Sequence, residues 1–318
     1  MELPENIVLA NGMLNEGLIL KKEPLYQGMN GRFVERFYLS PSASYIFKPL
    51  TNNGQLGREV WVHEHVLPSF PAIFPKIISY QISDSPDLNW MILEDLGQLS
   101  HDFNGETVLG VIKWAAWWHS LPTDQFTDVP SSGLKPRIEE IVADISRQQE
   151  KFFQLLPKLQ MEERQVRPIF SLFDRLVFSK KLVLSHGDLH SGNFAVTADR
   201  FAVLDWEHLH LNTPYWDLYH VLDMSHPLFP KKMTSQFRER ALRSYLAEVE
   251  LELDGEAFLH EYYLFSAIFS IWMILLIQKD LDADAGKWPV EQLNAQLEET
   301  VSCLKQCAAA LFEGLEGL

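Results

Sequence analysis

Residues 184–207 read LSHGDLHSGNFAVTADRFAVLDWE, and this stretch decides how the rest of the chain is understood. Two His, three Asp, one Asn and one Glu are set among Leu, Val, Phe and Ala. The run ending at Ser185 has the character of a buried strand, and His186–Asn193 that of a loop. Phe194–Val196 and Phe201–Leu204 alternate about Thr197-Ala198-Asp199-Arg200, as the arms of a tight hairpin do. Asp205 closes the second arm. A loop followed by a hairpin returns the chain to where it began, so Asp188, Asn193 and Asp205 are expected to converge.

Their chemistry suits one task. Asn193 and Asp205 offer oxygen donors to Mg²⁺, a hard cation that takes few protein ligands and completes its octahedron with phosphate and water. Asp188 is then left to orient or deprotonate a hydroxyl. Positioning and charge neutralisation of this kind are what phosphoryl transfer requires.

The pattern His186-x-Asp188-Leu189-x-x-x-Asn193 resembles the catalytic loop of kinases. More narrowly, HGDLHSGN followed by VLDWE, and then by Asp217-Leu218 in PYWDLYH, is similar to the aminoglycoside phosphotransferase and choline kinase family of small-molecule kinases. The chain departs from that family at Ser191, where Pro is frequent. The resemblance implies an α+β, two-lobed protein-kinase-like fold with a small β-rich N-terminal lobe and a larger, mostly helical C-terminal lobe. It implies ATP and Mg²⁺, and transfer of a γ-phosphoryl group to a hydroxyl of a small molecule. It further implies Asp188 as catalytic base, Asn193 and Asp205 as metal ligands, His186 as the His that packs the loop, and Asp217 as an acceptor bracing it. His190 reads as a hydrogen-bonding loop residue.

The same resemblance asks for a strand Lys reaching the phosphates and a helix Glu paired with it. Lys48 in YIFKPL sits in an apolar strand, where an unpaired ammonium would be costly. Glu59 is the favoured partner because it follows the onset of the helix, and Glu64 is its rival. Gly28 and Gly31 flank a turn between two candidate strands; their amides either cap phosphates or close a simple hairpin. Glu94, Asp95 and Leu96 occupy the linker that would meet adenine through its backbone. Glu207 either supports the metal ligands or faces the acceptor, and Asp223 is a candidate acceptor contact.

The wider sequence fits this organisation. The 318 residues allow one large domain or two lobes, here read as 1–97 and 98–318. Strands are expected at 32–40, 44–50, 75–83 and 88–96, with one helix at 54–68 between the second and third. After Gly97 the pattern becomes helical, with helices expected at 105–122, 137–160, 162–179, 232–250, 255–279 and 289–312. A net charge of −16 argues against nucleic acid or anionic lipid as partner and permits a cationic acceptor. Cys303 and Cys307, four apart on a helix, read as unpaired thiols rather than a disulfide or metal framework. MELPENIVLA has no basic flank and apolar core of a secretory signal. The apolar run Tyr262–Ile277 reads as a buried helix too short to span a membrane. A cytoplasmic enzyme is therefore expected. Two other readings exist: a relative that binds ligand without transferring phosphate, and a metallophosphoesterase, for which the early Asp-x-His is missing.

Overall fold

Short runs of apolar, aromatic and β-branched residues in the first hundred positions form one antiparallel sheet. The computed structural model describes residues 3–28, 31–50, 57–131, 135–173, 178, 181–198, 200–283 and 288–312. Along these residues the strands are β1 (Lys21–Gln27), β2 (Phe33–Ser40), β3 (Ala43–Pro49), β4 (Ile77–Gln81), β5 (Trp90–Glu94), β6 (Val183–Ser185), β7 (Phe194–Val196), β8 (Phe201–Val203) and β9 (His210–Asn212). The helices are α1 (Arg58–His65), α2 (Gly105–His119), α3 (Ile138–Arg147), α4 (Gln149–Leu155), α5 (Glu163–Ser171), α6 (Pro214–Leu222), α7 (Ser235–Glu248), α8 (Gly255–Leu281) and α9 (Val290–Phe312). Contacts divide the chain into two compact units: Met1–Ser100 with Val196–His208, and His101–Ala195 with Leu209–Leu318.

In unit one the sheet order is β1-β2-β3-β5-β4. The four strands expected from sequence become β2 to β5, and β1 adds an outer strand before them. Tyr45 pairs with Glu94 and Lys48 with Met91, so the site strand β3 is central, between β2 and β5. Phe37, Phe47, Trp90 and Ile92 form the sheet's core with Ile7 and Leu14 of the N-terminal segment. Helix α1 starts later than expected. Gly57 has φ 76°, a left-handed backbone that no helix interior contains, so it caps the helix, and its carbonyl accepts the first helical hydrogen bond from Trp61 N at 2.8 Å. Residues 54–56 lie outside the described residues. Val60 packs with Leu50 and Met91, which ties α1 to β3 and β5.

Unit two is helical apart from short strands. The helix expected over 137–160 is broken at Gln148, whose backbone (φ −104°, ψ 11°) leaves the helical region. Asp144 anchors the break, accepting from Gln148 Nε2 at 3.0 Å and from Trp272 Nε1 of α8 at 3.2 Å. Beyond Leu155 the chain meets Pro157, and Gln160 adopts φ 51° as Met161 N donates to Leu156 O. The helix expected over 162–179 is seen as Glu163–Ser171; residues 174–177, 179 and 180 lie outside the described residues. Helix α6 and strand β9 were not expected, although Pro214 at the first helical position was a legible start signal.

Helix α8 is 27 residues long and apolar enough to cross a bilayer by length and composition, longer than the sequence run suggested. Its most apolar window is 67% buried inside the unit, against α9 and α3. That burial explains why its apolar residues go all round the helix rather than along a stripe. Cys303 and Cys307 are free buried thiols with sulfurs 3.9 Å apart, and burial pushes the Cys303 thiol well up.

Candidate active site

Lys48 is the centre of unit one's polar chemistry. Its Nζ lies 2.6 Å from Glu59 Oε2 and 2.7 Å from Asp205 Oδ1. The strand puts Lys48 opposite Met91 in the sheet, and α1 brings Glu59 over it. Glu59 is buried, whereas Glu64 is exposed and accepts instead from the Tyr80 hydroxyl at 2.8 Å. Burial works against the Lys48 ammonium, but Asp205, Glu59 and Glu207 outweigh it and hold the group charged. Glu59 is pushed up, chiefly by burial and also by the negative charge of Asp205. One ammonium therefore faces three carboxylates, and the set carries an excess of negative charge.

Asp205 reaches Lys48 because its backbone is turned. It has φ 61°, a left-handed conformation uncommon for residues with a side chain but tolerated by Asp, at a cost of about 1 kcal/mol. The neighbours hold that turn. Trp206 packs edge-on against Phe70 at 5.5 Å and donates from Nε1 to Val203 O. Val203 N in turn donates to Ile73 O at 2.6 Å. Glu207 lies beside His208, Oε1 to Nε2 at 3.3 Å, in the same unit as Lys48.

The remaining nucleotide-binding candidates of unit one behave differently. Gly28 N donates to Arg32 O and Gly31 N to Gly28 O, so both amides close the hairpin and are not open to phosphate. Met29 and Asn30 lie outside the described residues. Glu94 is tied by its side chain to Arg200 at 2.8 Å, and Asp95 to Arg36 at 3.0 Å and to Gly97 N. Neither Asp95 nor Leu96 forms a backbone–backbone hydrogen bond with a described residue.

Unit two builds the loop around Asp217. Its carboxylate accepts from Ser185 Oγ at 2.7 Å, His186 N at 2.8 Å, Gly187 N at 3.0 Å and His119 Nε2 at 3.2 Å. Burial opposes its charge, but the His119 hydrogen bond leads the contacts that hold the carboxyl well below its ordinary range. Gly187 has φ 85°, which turns its amide onto Asp217, while Trp216 Nε1 holds its carbonyl at 2.9 Å. His186 is fully buried and accepts from Asp188 N. Asn193 Nδ2 donates to Asp188 O at 2.8 Å, which ties one of the amide's two N–H groups within the loop.

Three residues near this loop were not read from the sequence. His119 and Tyr245 extend the brace, the tyrosine hydroxyl lying 2.9 Å from His119 Nδ1. Lys135 Nζ donates to Asp188 Oδ1 at 3.1 Å. None carries a local motif: each comes from an element remote in sequence. Asp223 is a correction. Its oxygens accept from Arg238 at 2.7–3.0 Å and from Tyr262 at 2.6 Å, and neither Asp223 nor Arg238 exposes its side chain. A carboxylate buried and saturated in this way is not available to an acceptor.

An antiparallel sheet carrying a Lys–Glu pair, followed by a helical unit with an Asp-centred loop, defines the protein-kinase-like α+β class. Solved structures share the fold across nearly all of the chain. A spectinomycin phosphotransferase bound to AMP aligns with a TM-score of 0.56 at 17% identity, covering 90% of this chain and 93% of the other. Choline kinase from Cryptosporidium parvum Iowa II gives 0.54 at 17% identity, covering 95% and 94%. Amicoumacin kinase in complex with AMP-PNP, Ca²⁺ and Ami gives 0.53 at 15%, covering 92% and 89%. No curated protein sequence matches the chain. The model of the phosphotransferase enzyme family matches residues 88–262, more than half of the chain, and the chain belongs to that family.

Proposed function

We propose that this chain is an ATP- and Mg²⁺-dependent phosphotransferase of the cytoplasm that moves the γ-phosphoryl group to a hydroxyl of a small molecule. The observation that carries the reading is the double ion pair of Lys48 with Glu59 and Asp205. An ammonium held charged on a central strand is a ready partner for nucleotide phosphates. Membership of the phosphotransferase enzyme family supports the same reading. So do the adenine nucleotides named in two similar structures, one of them with Ca²⁺.

The roles follow from the chemistry of each group. Lys48 neutralises the α and β phosphates, and Glu59 fixes where its ammonium lies. Leu96 offers its backbone amide and carbonyl to adenine. Asp188 accepts the proton of the acceptor hydroxyl. That oxygen bonds to the γ phosphorus as the bond to the β–γ bridging oxygen breaks, and the electron pair leaves with ADP. Asp217, through the amides of His186 and Gly187, keeps Asp188 in place.

The donors fit a hard divalent ion: a carboxylate from Asp205, an amide oxygen from Asn193, and surplus negative charge around Lys48. When bound there, Mg²⁺ would neutralise charge on the phosphate oxygens. Glu207 adds to that negative charge.

The test is Asp188→Asn, assayed for MgATP binding and for acceptor-dependent ADP release over a panel of alcohols, sugars and amino alcohols. Turnover should fall by about 10²–10⁴ with nucleotide binding kept. Undiminished turnover would defeat the assignment.

A further inference from the structure

Asp188 does not stand alone in unit two. Lys135, in the segment before α3, places its ammonium 3.1 Å from Asp188 Oδ1. The Lys135 side chain is 34% exposed and that of Asp188 15%, so the pair is open to whatever approaches the carboxylate. The pair's consequence falls on the ligand.

We infer that Lys135 sets the charge class of the acceptor: the part of the acceptor beside the reacting hydroxyl is neutral or anionic, as in a sugar, polyol or hydroxy acid, and is not an ammonium. This rests on the phosphotransferase reading of Asp188. An acceptor hydroxyl on Asp188 lies within a few ångströms of the Lys135 ammonium. A cationic group there meets a carboxylate already compensated and a like charge at short range. A carboxylate or hydroxyl meets a donor.

The other charged groups of unit two strengthen the point. Asp217 is spent on four donors, and Asp223 on Arg238. Glu299 accepts from Ser225 Oγ and Lys231 N. Lys231 itself donates to the carbonyls of His220 and Val221. His220, 3.8 Å from Asp188, is pushed down to about 4 mainly by burial, so it is uncharged near neutral pH and leaves Lys135 as the cation beside Asp188. Among the described residues, the carboxylates of Asp217, Asp223 and Glu299 are thus already engaged.

Two matched series of acceptors test this: glucosamine, glucose and glucuronate, and 2-amino-1,3-propanediol, glycerol and glycerate. ADP release is measured with MgATP for the wild type, Lys135→Met and Lys135→Glu, each checked for an intact thermal transition. In the wild type, kcat/KM for the ammonium member should lie about tenfold or more below the neutral and anionic members. Lys135→Met should flatten the ranking and Lys135→Glu reverse it, chiefly through KM. A merely structural Lys135 would depress all members alike, and that result overturns the inference. So does a wild-type preference for the ammonium members. Bound MgATP with no release from any member also counts against the charge assignment. Failure to bind MgATP at all overturns the phosphotransferase reading, and this inference with it.

Discussion

Lys48 and Asp205 are 157 residues apart in the chain and 2.7 Å apart in space. The contact joins the middle of a five-stranded sheet to the turn after β8, and Glu59 completes it from α1. The arrangement is electrostatically lopsided. A single ammonium serves two carboxylates, one buried and one about a third exposed. Such a group is stable only while the cation is present, and it gains from any further positive charge.

Lys48→Met should therefore do two things. Affinity for MgATP and turnover should both fall, because the phosphates lose their counter-charge. Stability should fall by about 1–3 kcal/mol, because Glu59 is left buried without its partner. Adding Glu59→Gln should recover much of that stability without restoring turnover. Urea unfolding of the wild type, the single variants and the double variant measures the coupling. Strictly additive losses would show that Glu59 and Lys48 are not the paired unit described.

Much of this was legible in the sequence because the site residues lie close together in it. His186, Asp188, Asn193 and Asp205 fall within 20 positions, where turn and strand signals set their order. Lys48 was legible because a charge in an apolar strand demands a partner, and Glu59 was the nearest helical candidate. What the sequence withheld depends on tertiary packing. His119 and Lys135 reach Asp217 and the Asp188 loop from elements 50 or more positions away, with no spacing to announce them. Asp223 misled because an Asp near a kinase motif reads as functional, whereas its true partner, Arg238, lies on a later helix.

Asp217→Asn should cost more in turnover than in nucleotide binding. The substituted amide keeps one acceptor oxygen but adds two donors opposite Ser185 Oγ, His186 N, Gly187 N and His119 Nε2, all of which donate. The loop carrying Asp188 then loses its brace. A kcat fall of tenfold or more, with MgATP affinity nearly unchanged and stability lower by about 2–4 kcal/mol, is expected. Isothermal titration, unfolding and single-turnover assays separate the three. An unaltered kcat would show that the brace does not position the base.

Asp223→Asn should be a stability variant and nothing more. Arg238 would keep its charge in a fully buried setting while losing the carboxylate that compensates it. Removing one partner of such a pair costs about 3–5 kcal/mol. Acceptor KM, measured at a temperature where the variant remains folded, should stay within about twofold, a rate ratio worth less than 1 kcal/mol. A large rise in KM with little loss of stability would return Asp223 to the acceptor site.

Acid should weaken the fold through His220. Burial is the main cause that pushes this imidazole down to about 4, against the pull of Asp188, and its Nδ1–H donates to Trp216 O at 2.7 Å. The unfolded chain has His near its ordinary 6.5, so below that pH the unfolded state binds a proton that the native state refuses. Stability is fully present above pH 6.5 and falls as the pH drops toward 4, levelling once the buried ring also protonates. The full loss from this one residue is about 3 kcal/mol. His220→Gln cannot take the proton. It should be less stable than the wild type at pH 8, yet its stability should decline less between pH 7 and pH 5. Urea unfolding across that range isolates the difference, and parallel curves for the two proteins would show that His220 does not carry the acid sensitivity.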